Sequence, residues 1–186
     1  MSGKKIITII LCVLIIARIA YVNLNARQRT VTTAEQGKTI EYNGVKYSIA
    51  NAVLWEYGDF FDANGDCAKF EEETLRHDGT KILVVDIRIE KANDREDAMI
   101  EQSIPITYYH VVNWYNPYLT AFINREKTSL KSGDTISIPY EIYESSLNNK
   151  QRKNMDTMEF RLVFGSYPER KELLINDYKR KEYAGE

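Results

Sequence analysis

The stretch "KILVVDIRIEK", Lys81–Lys91, alternates apolar and polar side chains with a period of two over most of its length. Successive side chains of a strand point to opposite faces, so this pattern separates a dry face from a wet face. The apolar face holds Leu83, Val85, Ile87 and Ile89, and the polar face holds Asp86, Arg88 and Glu90. The stretch therefore predicts a β-strand that packs one side against a core.

The same period returns in "DTISIPYEIYE", residues 134–144, and in "TMEFRLVFG", residues 157–165. The pair Asn43-Gly44 separates two short β-type runs and is typical of a two-residue hairpin turn. The tetrapeptides "KSGD" and "GSYP" mark further turns. About seven or eight strands separated by such signals predict an antiparallel β-sandwich.

Helical periodicity is weak after residue 26. The residues "AVLWEYGDFF", 52–61, contain Gly58 and are mostly of β type, and the polar stretch Ser145–Asp156 has room for one helical turn. An all-β domain is the expectation.

The first segment differs in composition from the rest. Lys4 and Lys5 precede an uncharged apolar run, and Ile6 to Val22 has the length of a short membrane-spanning helix, with Arg18 near its far end. A cleaved signal peptide is the alternative, but cleavage after Ala20 or Ala26 lacks the small residue that the site needs. We predict a single-pass anchor through Ile6 to Val22 in the cell membrane, with the domain on the extracytoplasmic side.

These observations divide the chain into four parts. Residues 1–25 are the transmembrane anchor or signal segment, 26–38 a polar tether, 39–176 the β-sandwich domain, and 177–186 a frayed charged tail.

Charge argues against nucleic acid as a partner. All 27 acidic residues follow Ala26, whereas three of the 25 basic residues precede it, so the remainder carries 22 minus 27, or −5. The two cysteines, Cys12 and Cys67, fall in the apolar segment and in the domain, which argues against a disulfide between them. Cys67 is expected to be a lone thiol.

The stretches "GTKILVVDIRIEKANDRED", "LKSGDTISIPYEI" and "MEFRLVF" resemble a family of uncharacterised immunoglobulin-like domains of Gram-positive bacteria, which follow signal peptides or membrane anchors. That family has a "YLVVDVxIxN" strand, then an "L-x-x-G-[DE]" turn and a facing strand. The resemblance covers Thr39 to Asn176 and implies an extracytoplasmic immunoglobulin-like β-sandwich without catalytic residues. The aromatic insert around Tyr108 to Phe122 departs from the pattern.

The acidic stretch "FFDANGDCAKFEEE", Phe60 to Glu73, raises the question of calcium. The spacing of an EF-hand loop is present, but Cys67 stands where the loop needs glycine, and no entering helix is expected. A looser calcium site is left as one alternative and a solvated polar turn as the other. The residues of the candidate site are Asp59, Asp62, Asn64 and Asp66.

Signatures of catalysis are missing from the sequence. His77 and His110 lack metal-ligand spacing, and neither a nucleophile elbow nor a phosphate loop occurs. We predict no enzyme and no cofactor, and an enzyme whose site is invisible in the sequence is the alternative.

The most aromatic stretch is "ITYYHVVNWYNPYLTAF", Ile106 to Phe122. If it begins as one continuous strand, Tyr108, His110, Val112 and Trp114 share the core-facing side with Ile106. Tyr109, Tyr115 and Tyr118 then lie outside and form a candidate surface for a cell-envelope glycan or protein, or are covered by a neighbouring loop. The predicted function is a membrane-anchored, non-enzymatic binding or envelope-interaction module.

Overall fold

The computed structural model describes residues 3–25, 29–65, 79–91, 104–127, 131–165 and 168–181. The folded part is mostly β structure in two sheets, as the alternating patterns predicted. The strands are β1 (Thr30–Ala34), β2 (Ile40–Tyr42), β3 (Val45–Glu56), β4 (Thr80–Lys91), β5 (Ile106–Tyr108), β6 (Val111–Asn113), β7 (Thr135–Tyr143), β8 (Phe160–Phe164), β9 (Glu169–Ile175) and β10 (Lys179–Lys181). The helices are α1 (Gly3–Asn25), α2 (Tyr57–Ala63), α3 (Pro117–Ile123) and α4 (Asn149–Lys153).

The two sheets have a mixed but mainly antiparallel topology. Sheet A has the order β1-β9-β8-β5-β6, and sheet B has the order β10-β3-β4-β7, with β2 paired to the beginning of β3. Two pairs at the sheet edges are parallel, β1 with β9 and β10 with β3.

The main core lies between the sheets and contains the predicted apolar faces. Leu83, Val85 and Ile87 of β4 are completely buried, and the alternating apolar residues of β7 and β8 are buried with them. Tyr140 of β7 lies in this core, and its hydroxyl donates a hydrogen bond to the carbonyl of Ile104 at 2.8 Å, so the one polar group of the ring is satisfied. The predictions of strands β4, β7 and β8 are confirmed.

The predicted hairpin and the predicted helical turn are also present. Asn43 and Gly44 have φ angles of 51° and 76°, so both adopt the left-handed conformation that the two-residue turn between β2 and β3 requires. The helical turn is α4, where Asn148 and Gln151 form a capping box.

The structure differs from the predicted tether and tail. β1 lies inside residues 26–38 and pairs with β9, and β10 lies inside residues 177–186 and pairs with β3. Both are short, largely exposed edge strands, so they lack the apolar alternation that reveals a strand with one buried face. Threonine and valine in β1 still favour extended backbone.

The N-terminal helix α1 contains the predicted apolar segment. Lys5–Leu24 is long and apolar enough to cross a membrane by length and composition, and none of it is buried against the domain. An apolar helix at this position is typical of a membrane-associated or exported protein.

A second, smaller core covers the outer face of sheet B. Here α2 and α3 pack through Phe60, Phe61 and Leu119 against Ile82 of β4. The expectation that residues 52–61 are mostly of β type, with no helix leading into the Asp62 loop, is therefore corrected, because β3 ends at Glu56 and α2 spans Tyr57–Ala63. The aromatic residues of α2 are buried by helix-on-sheet packing, and tertiary contacts of this kind override local β propensity.

Strand directions place the Tyr109-His110 turn and the beginning of β1 at opposite ends of sheet A. β1 runs parallel to β9, and β9, β8 and β5 alternate in direction, so β5 also ends where β9 ends. Thr30 pairs with Glu169, whereas Tyr108 is level with Phe160, which pairs with Ile175. Six residues of β9 separate these levels, about 20 Å. We call the end with Thr30 the anchor end, and the end with the Tyr109-His110 turn the far end.

Candidate functional site

The outer face of sheet A carries a buried carboxylate held by two arginines. Glu172 of β9 is only 4% exposed although it points away from the main core. Its side chain lies 3.1 Å from Arg161 Nη1 and 2.5 Å from Arg170 Nε, and it accepts a hydrogen bond of 3.4 Å from Thr33 Oγ1 of β1. A buried carboxylate needs such partners, because removing its charge from water without them costs roughly several kcal/mol. The cluster joins β1, β9 and β8.

Arg161 stands at the centre of this face because it also contacts Glu159. The hydrogen bond to Glu159 is the main cause that raises the pKa of the Arg161 guanidinium, and the bond to Glu172 adds to it, while desolvation acts in the opposite direction. Two arginines and two glutamates therefore lie side by side, and their formal charges sum to zero.

A groove opens beside this charged cluster. Its cavity volume is about 620 Å³, within the range of roughly 300–1,000 Å³ that is common for small-molecule sites. One wall is the β5–β6 hairpin, and the other is the charged surface of β8 and β9. The lining residues are Thr107, Tyr108, Tyr109, His110, Val111, Val112, Glu159, Arg161, Arg170 and Glu172.

The hairpin wall turns through Tyr109 and His110, which the sequence placed within one continuous strand. Tyr108 pairs with Val111, and Tyr109 has a φ of 50°, in the left-handed region that glycine fills at the first position of such turns. A two-residue turn puts Tyr108 and Val111 on the same face, so the alternation shifts by one position after the turn. The prediction that His110, Val112 and Trp114 face the core is therefore wrong, and all three are exposed.

Large apolar side chains are exposed along this segment. Among the described residues of the domain, five such side chains are exposed, and four of them lie between residues 109 and 118. Their exposed fractions range from 46% to 66%. We call these four the aromatic surface: Tyr109, Val112, Trp114 and Tyr118. The fifth, Val31, lies on β1.

The structure does not place the three predicted tyrosines alike. Tyr109 is exposed at the far-end turn, and Tyr118 is exposed in the first turn of α3. Tyr115 is half-buried and forms an isolated bridge with Tyr140 of β7. Val112 and Trp114, which the sequence assigned to the core, are exposed. Tyr115, which was expected to be exposed, is half-buried instead. A turn predicted at Tyr109-His110 would have shifted the alternation by one position and assigned these residues to the correct faces.

A buried hydrogen-bond network fixes the first turn of α3. Asn116 Oδ1 accepts from the backbone amides of Tyr118 and Leu119 at 3.0 and 3.1 Å, and its Nδ2 donates to Glu141 Oε1 at 2.9 Å. The Tyr143 hydroxyl donates to the other carboxylate oxygen of Glu141. Burial, and next this bond to Glu141, raise the pKa of Tyr143. The cap orients α3, and with it Tyr118.

The candidate calcium residues lie elsewhere, at the end of α2. Asp59 and Asp62 are on the helix, Asn64 is its C-cap and donates its side-chain amide to the Phe60 carbonyl, and Asp66 lies outside the described residues. A small cavity beside Asn64 is also lined by Arg125, whose positive charge disfavours a cation there. The weak calcium site stays an alternative to the solvated polar turn.

Clusters of metal-binding side chains are absent from the part of the chain that the structure describes. No set of three His, Cys, Asp or Glu residues there has the geometry of a metal site. His110 is exposed in the groove wall, while His77 and Cys67 lie outside the described residues.

The model of the family described as "Domain of unknown function (DUF5028)" matches residues 31–171. No curated protein matches the chain. A solved structure of a candidate lipoprotein from Staphylococcus aureus subsp. aureus is 14% identical, with a TM-score of 0.43, over 81% of this chain and 97% of that chain. A likeness at this TM-score carries no argument about function.

Proposed function

This chain belongs to the DUF5028 family, and we propose that it is a membrane-anchored, non-enzymatic module that binds a component of the cell envelope through its far end. In this proposal α1 crosses the membrane through Ile6 to Val22, and the β domain is extracytoplasmic. The binding surface is the groove on sheet A, with Tyr109 and Val112 in its wall, together with the neighbouring exposed residues Trp114 and Tyr118 of the same segment.

The observation that carries the proposal is the concentration of exposed large apolar side chains in one short segment. Apolar surface that stays in contact with water costs roughly 25 cal/mol per Å², and exposed apolar side chains that a fold keeps in one segment are suited to contact a partner. Aromatic side chains provide large contact areas at a small entropic cost.

The position of this segment supports a partner in the envelope and not in the lipid. Four residues separate Asn25 from Thr30, so the anchor end of sheet A lies at most about 18 Å from the end of α1 along the chain. Tyr109 lies at the far end, about 20 Å further along the strands. If the strands point away from a membrane spanned by α1, the Tyr109 turn lies about 20 Å above the anchor end.

The immunoglobulin-like fold is also part of this proposal. If β3, β4, β5, β7, β8 and β9 correspond to strands A, B, C, E, F and G, sheet B has the order A-B-E and sheet A has the order G-F-C. The pairings β4–β7 and β5–β8 then have the Greek-key arrangement of immunoglobulin domains. An experimental structure with a different pairing of these strands would contradict the assignment.

Retention by isolated cell envelope tests the binding role. The full chain, purified in detergent, should co-sediment with envelope from its own organism, and the triple variant Tyr109→Ser, Trp114→Ser, Tyr118→Ser should lose most of this retention. Val31→Ser is the control, because it removes an exposed apolar side chain from β1. Retention of the triple variant at the wild-type level would refute the proposed surface.

Protease treatment of intact cells tests the topology. A protease added outside should remove the domain while a fragment with α1 stays in the membrane. A mature protein that starts near Ala26 in mass spectrometry would show instead that the segment is a cleaved signal.

A further inference from the structure

We infer that the groove on the outer face of sheet A binds a neutral saccharide, with the ring of Tyr109 as its stacking platform. The inference rests on the proposed envelope-binding function and names the class of ligand.

The charges of the groove favour a neutral ligand. Arg161 and Arg170 are each paired with a carboxylate, and Glu172 is shared between them. An anionic ligand would have to compete with Glu159 and Glu172 for the arginines, and a cationic ligand would meet the same arginines. Neither an anionic nor a cationic ligand would find an unpaired opposite charge in this cluster.

The polar groups of the groove suit a ligand with many hydroxyls. Guanidinium groups supply only hydrogen-bond donors, carboxylates supply only acceptors, and Thr107 and His110 can supply both. Each hydroxyl of a sugar both donates and accepts, so closely spaced donors and acceptors can satisfy neighbouring hydroxyls of one ring. A purely apolar ligand would cover these ion pairs without forming hydrogen bonds to them.

The conformation of Tyr109 is the second, independent observation. Tyrosine at a φ of 50° is strained, and glycine would occupy this turn position without strain. The ring is exposed at the groove wall, so burial of the side chain in the core does not offset the backbone strain. Such strain is commonly kept at binding sites, and an exposed ring beside polar groups matches the apolar face and hydroxyl rim of a sugar.

Titration calorimetry with the full chain in detergent tests the inference. The probes are the neutral tetramer of N-acetylglucosamine, the anionic tetramer of galacturonic acid, and inorganic phosphate. We expect heat of binding with the neutral tetramer only. Preferential binding of the uronic acid or of phosphate would overturn the inference, because it would make the groove an anion site.

Two substitutions of Tyr109 separate binding from folding. Tyr109→Gly relieves the strained backbone, so its melting temperature should not fall, but its affinity for the neutral tetramer should fall at least about tenfold. Tyr109→Phe keeps the ring and should keep most of the affinity. Asn43→Gly is the matched control, since it changes another left-handed turn residue, outside the groove, and should bind as the wild type does.

The outcomes distinguish this inference from the proposed function. If the wild type is retained by envelope but binds no neutral tetramer, the envelope role stands and the saccharide inference fails. If Tyr109→Gly binds the tetramer as well as the wild type, the inference fails too. If neither retention nor saccharide binding is observed, both fail.

Discussion

The sequence predicts one apolar, core-facing side both for strand β4 and for the segment 106–118, but the predicted side is fully buried only in β4. In β4 every predicted apolar position is buried between the sheets. In the segment, only Ile106 and Tyr108 follow the prediction. The three other expected core residues, His110, Val112 and Trp114, are exposed. The difference arises at one turn, because the chain reverses at Tyr109-His110 and shifts the alternation. An apolar/polar alternation without a turn predicts which side chains are buried. A turn within the pattern moves apolar side chains to the surface, where they are available for binding.

The largest expected effect lies in β4. Leu83→Ala removes a completely buried side chain from a strand that is paired on both sides. We expect the free energy of unfolding to fall by about 2–5 kcal/mol, from lost burial and the cavity left behind. Urea denaturation of the full chain in detergent measures this value. A loss below about 1 kcal/mol would contradict the difference between β4 and the segment 106–118, since β4 would then tolerate truncation as a surface strand does.

Alkaline pH provides the next largest effect through the core tyrosine opposite β4. Burial raises the pKa of Tyr140, and Tyr115 adds a smaller electrostatic contribution. Above the ordinary tyrosine pKa near 10, the unfolded chain releases this proton while the folded chain keeps it, so folding loses stability as pH rises. We expect a loss of about 1.4 kcal/mol per pH unit from this group.

Denaturation series between pH 7 and pH 11.5 measure that slope. Tyr140→Phe should reduce it, and at pH 7 should cost about 0.5–1.5 kcal/mol, because the Ile104 carbonyl loses its donor. An unchanged slope would show that Tyr140 is not the group responsible.

An intermediate effect is expected at the cap of α3, the element that follows the segment. Asn116→Ala removes both helix-capping hydrogen bonds and the donor to Glu141. The free energy of unfolding should fall by about 0.5–2 kcal/mol. Asn148→Ala at α4 is a matched control, because that cap makes the same backbone bonds without a buried carboxylate beneath it. Equal losses in the two variants would argue against a contribution from Glu141.

The smallest effect on stability is expected on the aromatic surface itself. Trp114→Ala truncates an exposed ring and should change the free energy of unfolding by no more than about 0.5 kcal/mol. The same variant should weaken retention by cell envelope, which Leu83→Ala should not do at temperatures where it remains folded. A large loss of stability for Trp114→Ala would show that this ring belongs to the core after all.

The sequence alone determined the β class, the core faces and the N-terminal helix. The alternation along most of β4, β7 and β8 determines which face is buried, and Asn43-Gly44 matches the backbone that a two-residue turn needs. A long uncharged run near the N-terminus likewise needs an apolar environment whatever follows it.

Tertiary structure decided the edges, the helices on sheet B and the candidate site. β1 and β10 pair through backbone groups that every residue has, so their side chains carry almost no signal. The aromatic residues of α2 form a helix because they pack on Ile82, a contact between residues far apart in the sequence. The groove joins Tyr109, Arg161 and Glu172, which come from three strands, and only the pairing of those strands brings their side chains together.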